Sequence, residues 1–163
     1  DRKYLENQAS ILVNLYNSKK FDEAVQKGKI LIKKFPNQIM FYNATALSLS
    51  SLGQNDEALR ILKEGLNVRP NDIFVLNNLG LINSYKNKNK ISREFLEKAL
   101  SINSNFVDAL LNLGNLNLKE GKIKPHISKK YSFVFFRNSL LSIFSSYNFL
   151  PSIFNLFSVF TLV

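Results

Sequence analysis

The chain has 163 residues, 45% of them hydrophobic, with four prolines, six glycines, one histidine and no cysteine. That composition sustains a packed core and excludes a disulfide framework, a thiol nucleophile, a thiolate metal site and a multi-histidine metal site. The formal net charge of +10 is unevenly placed: residues 1–124 hold 19 Lys/Arg against all 12 Asp/Glu, and residues 125–163 hold three basic residues and no acid. A chain that starts at Asp1 reads as a piece of a longer protein, so nothing follows from the lack of a leader at that end.

From the N-terminus the sequence repeats itself every 34 residues, and such a period is the mark of a stacked array. The first unit, 5–38, carries Asp22-Glu23 before Ala24 and ends on Pro36. The second, 39–72, places Asp56-Glu57 before Ala58 and ends on Pro70, each 34 residues later. The third, 73–106, has the triplet Asn-Leu-Gly closing at Gly80, and "SINSN" with Ser104 where "NVRPN" held Pro70. A fourth begins at Val107 and repeats Asn-Leu-Gly at Gly114.

Each unit predicts two helices. Segments such as "NDEALRILKEGLNV" and "VDALLNLGNLNLKE" carry apolar residues at three-and-four spacing. The polar stretches "LGQN", "NKNK" and "EGKI" are turns between them. Proline near the unit's end stops the second helix, because it lacks an N–H and disfavours helix in the residue before it. Asn71-Asp72 and Asn105 suit the N-cap region of the next helix. The acid pairs fall in the first turn of second helices, where they favour the helix dipole; that is a structural use, not an acid–base site.

On these residues the stretch 5–124 resembles the tetratricopeptide repeat (TPR) family, as three whole repeats and the first helix of a fourth, 107–121. Position 8 of the family's repeat is small and here holds Leu12, Ala46, Gly80 and Gly114. Position 20 holds Ala24, Ala58 and Ser92. Position 27 holds Leu31, Gly65 and Ala99. The first repeat departs most, with leucines at two small positions and Gln8 at an apolar one. The resemblance implies an all-α fold, a right-handed superhelical solenoid in which no repeat buries its apolar face alone.

In TPR proteins the first helices line a concave groove. Carried over by position, the groove residues are Asn43, Leu47 and Ser50; Phe74, Asn77, Asn78, Leu81, Ser84 and Tyr85; and Asp108, Leu111, Asn112 and Asn115. The recurring asparagines look like the peptide-holding lining of O-GlcNAc-transferase repeats, since an amide offers both donors and an acceptor. The lysine and arginine clamp of chaperone-binding TPRs is missing, its places being taken by Ala9, Val13, Asn43, Leu47, Asn77 and Asn78. Lys20, Lys88 and Lys122 share position 16 in the interhelical turns and predict a basic edge. No aromatic-interleaved motif accompanies them, which argues against nucleic acid. No phosphate loop, nucleophile elbow or Cys/His pair is present, so the expected partner is a protein or peptide, with no cofactor and no catalysis.

The pattern stops at Pro125. Counting on, position 20 falls on His126, position 24 on Lys130 and position 27 on Phe133, each the wrong kind of residue. Residues 138–163 carry no charge and lie behind Lys129, Lys130 and Arg137, as a membrane anchor would. Six serines and Pro151 dilute them. A capping helix would need a polar outer face. Ala, Gly, Val, Asp and Glu supply 30 of the first 124 residues and 3 of the last 39, while Phe supplies 8 of those 39. That mixture favours an AT-rich gene read in a shifted frame. Three functions therefore stand as expectations. The first is a cytoplasmic protein-interaction scaffold. The second is the substrate-recruiting arm of a larger glycosyltransferase or sulfotransferase. The third is a membrane-tethered scaffold, which requires the 138–163 tail to be genuine.

Overall fold

The computed structural model describes residues 2–122. Lys124 and the whole atypical segment 125–163, with its anchor, cap and shifted-frame readings, lie outside the described residues. Among the described residues the chain forms seven helices and no strand: α1 (Arg2–Asn17), α2 (Phe21–Lys34), α3 (Ile39–Ser51), α4 (Asn55–Val68), α5 (Ile73–Tyr85), α6 (Asn89–Ile102) and α7 (Val107–Lys119).

The period seen in the sequence recurs in the backbone. The interhelical turns place Lys19, Gly53, Asn87 and Gly121, 34 residues apart, at φ between 57° and 76°. This left-handed residue lets the next N–H return to the last helical turn: Lys20 N–H donates to Leu15 O, Gln54 to Leu49, Lys88 to Asn83 and Lys122 to Asn117, each at 2.9 Å. The second helices end alike, with Phe35, Arg69 and Asn103 donating to Leu31, Gly65 and Ala99. Pro36 and Pro70 follow two residues beyond α2 and α4. Of the expected caps, Asp72 accepts from the N–H groups of Phe74 and Val75. Asn105 does not cap: Phe106 holds that place, and Asn105 N–H instead donates to Asn103 Oδ1.

Packing follows residue size. Ala24, Ala46, Ala58 and Ala99 are fully or almost fully buried, and Leu62 and Leu96 fill the space beside them. Burying one such leucine contributes about 1.5–3 kcal/mol. A Cβ on Gly80 would stand 2.6 Å from Leu96 Cγ, so that crossing of α5 and α6 needs glycine. The first repeat solves the same problem differently. Leu31, at a normally small place, is buried with Leu12 and Phe41. The close approach moves one turn back to Gly28, where a Cβ would collide with Thr45 Oγ1.

Helices α1, α3, α5 and α7 each pack on the next in that series, whereas the backbones of α2, α4 and α6 approach only first helices. The first helices are therefore the close-set inner layer and the second helices the splayed outer one. That difference in spacing makes the inner layer's free side the concave face.

Candidate functional site

The candidate groove residues all lie on first helices. Asn43, Leu47, Ser50, Leu81, Ser84, Asp108, Leu111 and Asn112 are half-buried. Phe74 and Tyr85 are 53% and 60% exposed, and Asn115 is also exposed. Charge is scarce there. Apolar side chains are partly exposed along the first helices, Val13, Met40, Phe74 and Tyr85 among them, and Tyr16, Leu47, Leu81 and Tyr85 line one cleft. Contiguous exposed apolar surface marks an interaction site.

The asparagines do something the sequence did not disclose. Asn77 and Asn78 are only 6% and 8% exposed. Asn112 Nδ2 donates to Asn77 Oδ1 at 2.9 Å, and Asn78 Nδ2 donates to Asn43 Oδ1 at 3.0 Å. A longer contact of 3.5 Å runs from Asn77 Nδ2 to Asn78 Oδ1. Each strong bond joins one repeat to the next, 35 residues away. The four amides thus tie α3, α5 and α7 together. Among these bonds the amide nitrogen of Asn43 and the carbonyl of Asn112 take no part.

Towards the turn end of the groove, Tyr16, Leu47, Ser50, Ser51, Leu81 and Tyr85 line a cleft of about 200 Å³. Tyr16 and Ser51 were not among the sequence candidates. Their periodic place, at the last turn of a first helix, was available as a signal. Tyr16 is held by Phe21 across its turn, ring centroids 5.4 Å apart, and Ser50 by a hydroxyl bond to Asn55 Oδ1 at 2.8 Å. The same two repeat places serve as a clasp between first and second helix.

The basic edge is largely answered by carboxylates. Lys20 pairs with Glu23 at 3.1 Å and Lys122 with Glu120 at 2.6 Å. Lys86 reaches Asp56 in the preceding repeat at 2.7 Å, and Lys29 reaches Glu57 at 2.8 Å. Hydrogen bonding to Lys86 holds the Asp56 carboxyl below its ordinary range, and Lys29 does the same for Glu57. Lys122, then Arg93, lowers Glu120. Lys88 stays exposed and forms no ion pair among the described residues. Also among the described residues, no cluster of three His, Cys, Asp or Glu side chains is placed to hold a metal. No helix there is long and apolar enough to cross a membrane.

The tetratricopeptide repeat family model matches residues 75–106, the stretch from α5 to the start of the next repeat. The described residues have the fold of a tetratricopeptide-repeat solenoid. Among solved structures the TPR fold is similar to a thermophilic TPR protein of Thermus thermophilus, with TM-score 0.67 and 18% identity; the match covers 70% of this chain and 64% of that one. The chain therefore spans under two thirds of that relative's length. It is also similar to the Yersinia enterocolitica type III secretion chaperone SycD in complex with a peptide of the translocator YopD, with TM-score 0.63, 18% identity, and coverage of 72% and 95%. The first TPR domain of human RPAP3 gives TM-score 0.66 at 13% identity, covering 71% and 91%. A search of curated proteins finds no match.

Proposed function

We propose that residues 5–124 act as one non-catalytic protein-interaction array of a cytoplasmic protein, holding a peptide or partner helix along the concave face. The observation that carries this reading is the set of partly exposed apolar side chains on the first helices, with Leu47, Leu81 and Tyr85 gathered at one cleft. Such apolar surface is costly to leave in water, and a partner's apolar side chains remove it from water. The groove's lack of clamp cations favours a ligand recognised by its side chains over one recognised by a terminal carboxylate. A solved TPR chaperone that carries a translocator peptide supports a peptide ligand for this shape.

The test is selection of random dodecapeptides displayed on phage against the full chain. Enriched peptides should carry large apolar residues and should lose binding to Leu81→Glu, on the groove. They should keep it with Lys63→Glu, on an exposed side of α4. Equal loss in both variants, or no enrichment at all, would sink the reading.

A further inference from the structure

The structure adds a cleft to the expected groove, and two lysines follow its flanking tyrosines closely in sequence. Tyr16 and Tyr85, which flank the cleft, lie at the ends of α1 and α5. Each is followed three residues later by a lysine in the adjoining turn, Lys19 after Tyr16 and Lys88 after Tyr85. Lys19 is exposed, held at φ 58°, and forms no ion pair among the described residues. Of the nearby carboxylates, Glu23 is taken by Lys20 and Asp56 by Lys86, which leaves the exposed Asp22 to offset part of this surplus. Lys88 adds only a longer-range pull on Asp56. Lys119 reaches the same end of the groove from α7, donating to Ser84 O at 2.7 Å.

We propose that this cleft takes a single large apolar side chain from a partner segment whose residues on the turn side of that anchor are acidic. The inference rests on the groove reading above and adds the partner's chemistry. The two leucines and two tyrosines supply a floor and walls for an aliphatic or aromatic group of the size that about 200 Å³ admits. The serine hydroxyls Ser50 and Ser51 leave the cleft able to hydrogen-bond the backbone beside the anchor. Lys19 and Lys88 are exposed in the turns that follow the cleft's tyrosines, where charge steers and orients a ligand more than it tightens the complex. A basic partner would meet Lys19 and Lys88 unscreened and is disfavoured. A wholly apolar one would leave their field unused.

The probe is an immobilised array of octapeptides with Phe or Leu fixed at the fourth position and every residue type varied at the others, read with the full chain. Acidic residues on one side of the anchor should strengthen binding about two- to fivefold, the range of exposed charge pairs. That preference should vanish in Lys19→Gln/Lys88→Gln and in 0.5 M salt, where the screening length falls to about 4–5 Å. Anchor binding itself should persist in the double variant and disappear in Leu81→Glu. Binding with no acid preference, or an acid preference unchanged in the double variant, overturns this inference and leaves the groove reading standing. No binding to any anchored peptide overturns both.

Discussion

Gly80 and Gly114 hold the same place in consecutive repeats and should answer the same mutation with opposite sign. Gly80→Ala pushes a methyl into Leu96 and, as overpacking, should destabilise by about 1–3 kcal/mol. Gly114→Ala meets no described atom within 4 Å and should gain up to about 1 kcal/mol of helix propensity. Urea melts of the two variants check the pair. Ser92 stands where Ala24 and Ala58 stand, fully buried, and its Oγ has no hydrogen-bond partner. Ser92→Ala removes a dry hydroxyl and leaves the packing alone, so it should raise stability by about 1 kcal/mol in the same assay. The sequence showed that Ser92 replaces alanine. That its hydroxyl goes unbonded depends on which backbone carbonyls lie in reach, and no spacing rule reports that.

Among elements, the amide chain through Asn43, Asn78, Asn77 and Asn112 is the least expected feature. Asn78→Ala leaves Asn43 Oδ1 and Asn77 Nδ2 without a partner and should cost about 1–2 kcal/mol. A double-mutant cycle with Asn43→Ala should show coupling between α3 and α5, where independent groups would simply add. The recurrence of asparagine was legible in the sequence; its use was not. An exposed asparagine and a cross-repeat one have the same spacing, and only the lateral offset between stacked helices brings residues 35 apart into contact. The same holds for repeat one. Leu31 at a small position read as a weakness, whereas Gly28 one turn earlier restores the close approach. The period, the alanines and the helix-stopping prolines were legible because they act within one repeat. The left-handed turn residue Lys19 was hidden because Gly53, Gly121 and, more weakly, Asn87 advertise that conformation by residue type and lysine does not.

For the array as a whole, ion pairs between repeats make stability depend on acid. Asp56 and Glu57 have carboxyls lowered below their ordinary range by Lys86 and Lys29 of neighbouring repeats, and Glu120 by Lys122 of its own turn and Arg93 of the repeat before. A lowered folded-state pKa adds stability that is present above the unfolded value and lost as pH falls through the folded one. The urea midpoint should therefore fall between pH 7 and about pH 3, and fall less in Asp56→Asn/Glu57→Gln. All three carboxylates are solvent-reached, so the effect is a modest slope and not a collapse.

We propose that the inner layer, and not the outer one or the open end of the array, holds the partner. Amide chemical shifts of the full chain, recorded while titrating the best phage-selected peptide, locate the contact. Perturbations should run along α1, α3, α5 and α7, strongest around Leu47, Ser50, Leu81 and Tyr85. Perturbations confined to the outer helices, or to the end face around Tyr4 and Ile30, would contradict it.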